Sequence, residues 1–182
     1  MIRKAIFLDR DGVLNKEKSY ITERSELEIF PYAKEAIEIF KDLGHMTIVV
    51  TNQSAVARGL ISEEKLIEMN DYLQSNLGVD AIYYCPHLPP PDDIELLPFL
   101  INCECRKPKG GMIKKALQEH GITLEGSYMV GDRAGDIIMG QTMHLKTVLL
   151  NSGYGVQNLE QDVAPDYIFS DLLSFAKFLS CF

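Results

Sequence analysis

The 182-residue chain carries 18 Lys and Arg against 26 Asp and Glu, a formal charge of −8, which argues against a non-specific grip on nucleic acid or an anionic membrane. At 46% hydrophobic and 24% charged residues the composition is that of a globular protein, excluding disorder and fibrous architecture, and the length fits one domain over residues 1–182. No apolar run reaches the ~18 residues that a spanning helix needs. Lys4 to Leu8 is a short apolar run that stops at Asp9 and reads as a buried strand. It is too short for a signal peptide, so a cytoplasmic protein is expected. From Tyr32 to Leu43, the apolar residues Ala33, Ala36, Ile37, Phe40 and Leu43 recur at helical spacing between Pro31 and Gly44. Met46 to Val50 reads as a second strand, ending at Thr51. Ser62 caps a helix reaching Leu77, with Glu63 and Glu64 in its first turn. A third strand, Ala81 to Tyr84, runs into a long loop punctuated by Pro89, Pro90, Pro91 and Pro98. Beyond it follow a helix over Met112–His120, a strand over Ser127–Val130, a helix over Asp136–Met143 and a strand over Lys146–Leu150. A sixth strand around Ile168-Phe169 and a helix over Leu172–Leu179 close the chain.

Short apolar runs alternating with amphipathic segments predict βα units around a mainly parallel sheet, an α/β fold. Asp9, Thr51 and Asp132 stand where strand runs end, and strand carboxyl ends border the ligand crevice of such a sheet. Asp9 and Asp11 lie two apart on a turn that Gly12 lets bend sharply, and close carboxylates repel unless a cation or proton separates them. With Asp132 and Asp136 they form a set of hard oxygen donors suited to Mg²⁺. Thr51 offers a hydroxyl and Lys107 a compact charge for phosphate oxygens, while Arg106 and Arg133 add planar donors for a second phosphate or sugar hydroxyls. Singly, each has a bland reading as a turn or a solvated loop; their joint order and spacing is specific. Cys85-x-His87 with Cys103-x-Cys105 supplies three thiolates and an imidazole, a closed tetrahedral set for structural Zn²⁺ within the loop 85–105. The alternative is three reduced cysteines beside a loop histidine. Cys181 reads as a packed or partly exposed thiol.

The pairs Asp9/Asp11 and Asp132/Asp136, with Thr51 and Lys107, resemble the four motifs of the haloacid dehalogenase superfamily of phosphotransferases. The runs Phe7–Gly12, Thr51–Gly59, Cys85-Pro86-His87 and Cys103–Pro108 are similar to its heptose bisphosphate phosphatases, which make heptose precursors of bacterial surface glycans. The resemblance implies a Rossmann-like three-layer sandwich in which a zinc loop replaces a large cap domain. It implies that Asp9 is the nucleophile and Asp11 the general acid and base. Mg²⁺ would sit on Asp9, the Asp11 carbonyl and Asp132, with Asp136 outside those ligands, while Thr51 and Lys107 hold the phosphoryl group. The stretch Glu17 to Tyr20, including Ser19 and Tyr20, would line the sugar and its distal phosphate with Asn52, Gln53, Ser54, Arg106 and Arg133. The expected partner is a small phosphorylated sugar, without nucleic acid or membrane, acted on by a monomer. Rival readings are a histidinol phosphatase, a polynucleotide 3′-phosphatase and a zinc-stabilised binding module without activity. The run Gln53–Gly59 favours the heptose reading over the histidinol one, and the four acidic and basic catalytic candidates count against a pure binder.

Overall fold

Along β1 (Lys4–Leu8), Ala5 and Phe7 are buried on one face and Ile6 and Leu8 on the other. A strand covered on both sides in this way lies in the middle of a sheet. The computed structural model describes residues 3–90, 98–159 and 162–182. Its six strands are β1, β2 (His45–Asn52), β3 (Ala81–Cys85), β4 (Tyr128–Gly131), β5 (Lys146–Leu150) and β6 (Tyr167–Phe169). They pair in the order β3-β2-β1-β4-β5-β6, all parallel.

Helices α1 (Ala33–Asp42), α2 (Glu63–Leu77) and α5 (Leu172–Leu179) cover the face of Ile6 and Leu8, burying Phe40, Met69, Leu73 and Phe175 there. Helices α3 (Gly111–His120) and α4 (Ala134–Thr142) cover the other face with Met112, Ile113 and Met139. This is the expected three-layer α/β arrangement. Ser62 caps α2 by accepting the Lys65 N–H at 3.2 Å, and Gly78 ends it in the left-handed region at φ +73.

Several boundaries differ from the sequence reading, each for a local reason. Strand β2 extends through Thr51 and Asn52, because β3 runs alongside to Cys85 and supplies the ladder; Thr51 therefore lies within the strand and Asn52 closes it. Strand β4 starts at Tyr128 and not Ser127, whose hydroxyl is taken by the Ala5 N–H at 2.8 Å. Helix α4 starts at Ala134 and not Asp136, since the Asp136 carboxylate accepts the Arg133 N–H at 3.2 Å and makes Arg133 the N-cap. Between β1 and α1 the one regular segment is a 3-10 turn over Arg24–Glu26, so no helical cap is inserted there. From β3 to α3 the chain runs as a loop among the described residues, with a bridge between Leu88 and Leu100. Most of the uninterpreted stretch 89–98 lies outside those residues. No helix among the described residues is long and apolar enough to cross a membrane.

Candidate active site

Strand order reverses between β1 and β4, and the connections leave them in opposite directions. A crevice opens at such a point beyond the carboxyl ends, where Asp9 follows β1 and Asp132 follows β4. The Asp9 N–H donates to Val130 O at 2.9 Å, extending the ladder one residue and fixing that carboxylate beside β4. Asp9 Oδ1 accepts the Arg10 N–H at 2.7 Å, and Oδ2 lies 2.8 Å from Lys107 Nζ. The same ammonium lies 2.7 Å from Asp136 Oδ1, bridging two carboxylates in a buried site.

One cation does not balance three acids. Oxygens of Asp9, Asp132 and Asp136 all lie within 4.8 Å of one another. Burial, with the neighbouring Asp136 and Asp11, outweighs Lys107 and pushes Asp9 up to about 6. Burial together with Asp9 and Asp136 pushes Asp132 up to about 8. Lys107 moves the opposite way: burial opposes its charge, but Asp136 and Asp9 prevail and raise it to about 12. Asp132 Oδ2 accepts the Tyr154 N–H at 2.8 Å, whereas its buried Oδ1 has no hydrogen-bond donor and stands 4.0 Å from Arg133 Nε. Space around this carboxylate is kept by Gly12, at φ +79, and Gly153, since a Cβ on either would collide with Asp132 Oδ2.

Asp11 is held differently. Arg10 is almost fully buried and donates from Nε to Asp11 Oδ1 at 3.2 Å and from Nη2 to Oδ2 at 3.0 Å. Asn15 Nδ2 and Gln53 Nε2 add donors at 2.8 Å each. Burial raises the Asp11 carboxyl, but Arg10 and these hydrogen bonds prevail and leave it lowered. Gln53 Nε2 also donates to Thr51 Oγ1 at 3.0 Å, tying the end of β2 to Asp11. Asn52 spends both ends of its carboxamide on the backbone of Lys107: Oδ1 accepts its N–H at 3.0 Å and Nδ2 donates to its carbonyl at 3.3 Å. These two side chains thus brace Asp11 and Lys107.

Cys85 ends β3, and the chain returns through Cys103 and Cys105. The three Sγ atoms are 3.1 to 3.5 Å apart, far beyond the ~2.05 Å of a disulfide. His87 Nδ1 lies 3.3 Å from Cys105 Sγ and 3.7 Å from Cys85 Sγ. Four donors so grouped fit one tetrahedral ion, for which bonds of ~2.3 Å place sulfurs a little under 4 Å apart. Burial and its neighbouring thiols raise the Cys85 thiol, so a cation is what would let all three sulfurs be thiolates. Arg106 follows directly, and its Nη1 donates to His87 O at 3.0 Å.

A cleft of about 350 Å³ opens over the acids. Its lining takes in Asp9, Asp11, Thr51, Lys107 and Asp136 at one side and Glu17, Ser19, Tyr20, Asn52, Gln53, Ser54, Arg106 and Arg133 around it. The site residues read from the sequence are therefore gathered at one place, with Asp132 beneath the lining and the Cys/His set behind Arg106.

A family model described as HAD-hydrolase-like matches residues 104–175. Over its whole length the chain is similar to a D-glycero-beta-D-manno-heptose-1,7-bisphosphate 7-phosphatase of Haemophilus ducreyi, at 32% identity over 99% of this chain and 100% of that one. An enzyme of the same name from Pasteurella multocida is 37% identical over 84% of each chain. In three dimensions it is similar to the crystal structure of the D,D-heptose 1,7-bisphosphate phosphatase from B. bronchiseptica complexed with magnesium and phosphate. That likeness has a TM-score of 0.84 and 31% identity, and covers 98% of both chains. The chain belongs to the heptose bisphosphate phosphatase family.

Within that family framework, the acids of this chain suit a hard divalent cation. Asp132 Oδ1 is a buried carboxylate oxygen without a donor, beside two more carboxylates and with only one buried ammonium to offset them. That combination is costly unless a cation joins it. Lys107 engages both Asp9 Oδ2 and Asp136 Oδ1, so Asp132 Oδ1 is the carboxylate oxygen of the three that stands open to such an ion.

Some site residues gave little signal in the sequence. Arg10, between Asp9 and Asp11, is an arginine whose burial nothing in the sequence signals. Arg133 reaches Glu17 Oε2 at 3.1 Å and lies over the Tyr154 ring at 3.9 Å, and nothing in the sequence connects the three. Arg58 and Lys18 line the cleft as well.

Proposed function

We propose that this phosphatase removes the 7-phosphate of D-glycero-D-manno-heptose 1,7-bisphosphate through an aspartyl-phosphate, as a cytoplasmic monomer of one domain. The observation that carries this reading is the end-to-end likeness to D-glycero-D-manno-heptose bisphosphate phosphatases, over a site where the Asp9 carboxylate is in contact with the buried Lys107. Asp9 attacks phosphorus, the bond from phosphorus to the C7 oxygen breaks, and Asp11, which must first turn away from the Arg10, Asn15 and Gln53 donors to carry a proton, gives that proton to the leaving oxygen. Water then attacks the aspartyl-phosphate and returns a proton to Asp11, freeing Asp9 and inorganic phosphate. Mg²⁺ held by Asp9, Asp132 and the Asp11 carbonyl supplies positive charge where two anions must approach. Lys107 and Thr51 hold the phosphoryl oxygens, with Asn52 and Gln53 keeping them in register. Ser19, Tyr20, Ser54, Arg106 and Arg133 meet the sugar and its second phosphate. The Cys85, His87, Cys103 and Cys105 set holds Zn²⁺, which fixes the loop bearing Arg106 and Lys107 and leaves no open position for substrate.

Comparing kcat/KM across heptose 1,7-bisphosphate, histidinol phosphate and a 3′-phosphorylated oligonucleotide tests the substrate. The bisphosphate is expected to lead; a lead of more than about tenfold by either rival, roughly 1.4 kcal/mol of transition-state binding, overturns the reading. Metal analysis of the purified protein is expected to find one tightly held zinc per chain, lost when Cys103 and Cys105 are both changed to Ser.

A further inference from the structure

Five cations line the cleft: Lys18, Arg58, Arg106, Lys107 and Arg133. Three are already matched to carboxylates. Lys107 sits between Asp9 and Asp136, Arg133 reaches Glu17, and Lys18 reaches Glu28 at 2.6 Å. Among the described residues, Arg58 and Arg106 form no ion pair, so theirs is the positive charge in the cleft that no carboxylate of the protein offsets. The sequence points to Arg106 as a donor to a second phosphate or sugar hydroxyls; Arg58 is the cation that the fold adds.

Arg58 stands in the turn after β2, on the side of the mouth formed by Ser54 to Gly59. Its backbone is fixed there, with the Arg58 N–H donating to Ser54 O at 3.1 Å and the Gly59 N–H to Val56 O at 2.9 Å. Its guanidinium lies 5.4 Å from the ring centroid of Tyr20, which lines the cleft from the loop after β1. An aromatic face holds a guanidinium in one plane while leaving its N–H donors free along the edge. Tyr20 therefore supports a planar donor in the lining of the cleft.

A bisphosphate brings a second dianion that Lys107 does not serve, because its ammonium stands beside Asp9, where the reacting phosphoryl group is held. We infer that Arg58, stacked on Tyr20, is a specificity-determining residue that binds the phosphate not being cleaved, together with Arg106. The inference rests on the bisphosphate reading above. It predicts that Arg58 acts on substrates with two phosphates and is silent toward those with one.

The test measures kcat and KM of the parent, Arg58→Ala, Arg58→Lys, Tyr20→Phe and Tyr20→Ala on heptose 1,7-bisphosphate and on heptose 7-phosphate, with thermal melts to verify folding. Arg58→Ala is expected to lose about 10- to 100-fold in kcat/KM on the bisphosphate, mostly through KM, the range for one charge-assisted contact. On the 7-phosphate it should stay within about twofold of the parent. Lysine should recover part of the loss, since it restores the charge without the fork. Tyr20→Ala should follow Arg58→Ala in part, and Tyr20→Phe, which keeps the ring beside the guanidinium, should lose less on the bisphosphate than Tyr20→Ala. Equal losses on both substrates, or none on either, would overturn the role of Arg58 while leaving the substrate reading intact. A parent that does not prefer the bisphosphate would remove the substrate reading, and the inference with it.

Discussion

Asp166 stands immediately before β6 at the amino end of the sheet, and Asp132 immediately after β4 at its carboxyl end. Asp166 Oδ2 accepts the Thr147 N–H at 2.8 Å and its hydroxyl at 2.9 Å, while Oδ1 reaches Lys146 at 3.0 Å. Asp80, before β3, repeats the arrangement on the opposite edge, with Thr47 at 2.8 and 3.1 Å and Lys41 at 3.2 Å. At the carboxyl end, Asp132 has one backbone donor and an oxygen left over, with Asp9 and Asp136 close by. The titrations diverge accordingly. Burial raises Asp166, but the Thr147 and Lys146 bonds together prevail and hold it low, whereas burial and like charges drive Asp9 and Asp132 up. A carboxylate whose bonds are complete fastens strands; one left incomplete in a buried place is kept for something that arrives later.

The sharpest way to break this comparison is to neutralise one carboxylate at each end. Asp9→Asn should lower kcat by about 10⁴-fold or more, since the nucleophile is gone and the uncatalysed reaction is extremely slow. Asp166→Ala should leave kcat within about twofold, because it touches nothing in the cleft. Steady-state assays with Mg²⁺ present decide it; substantial turnover by Asp9→Asn would sink the nucleophile assignment.

The pH dependence of stability sharpens the same contrast. In protein stripped of divalent ions by a chelator, Asp9 and Asp132 bind protons in the folded state at pH values where the unfolded chain has released them. Their folded values of about 6 and about 8 lie above the ordinary 3.8. The folded state then holds more protons than the unfolded state, so stability falls as pH rises through that window. Melting temperature is expected to drop by about 5 °C between roughly pH 5.5 and 8. Added Mg²⁺ should remove most of that slope, and Asp132→Asn should flatten it without metal. A slope unchanged in Asp132→Asn would assign the effect to other groups.

How much of this was legible in the sequence depended on whether the signal was local. Strand β5 and helix α5 were read to the residue, because apolar periodicity and flanking polar residues mark them directly. The acids and Lys107 were legible as a set through their order along the chain. Their electrostatics were not, since an unsatisfied oxygen on Asp132 depends on Tyr154 and two glycines brought in from distant turns. Asn52 and Gln53 were placed in the site by the family resemblance, but which way their amides point is decided by Lys107 and Asp11 across the crevice. The Asp80–Thr47 and Asp166–Thr147 fastenings were invisible, because sequence separations of 33 and 19 residues hide a pairing that only strand register creates.

Those fastenings carry the smallest predicted effect, and one that separates structure from activity. Asp166→Ala leaves the buried Thr147 N–H and hydroxyl without their acceptor and loosens β6 from β5. The expected cost is about 1–2 kcal/mol, or roughly 3–6 °C in melting temperature for a chain of this size. The sign of its pH dependence is opposite to that of the active-site acids. Asp166 is held below its ordinary value, so its contribution is complete above the unfolded carboxyl range and is lost as pH falls through the folded value. The melting difference between parent and Asp166→Ala should therefore be constant from about pH 6 to 8 and narrow as pH approaches about 3. A difference that instead widens on acidification would mean that Asp166 is protonated in the folded protein. It would then belong with Asp9 and Asp132, and the contrast between the two ends of the sheet would fail.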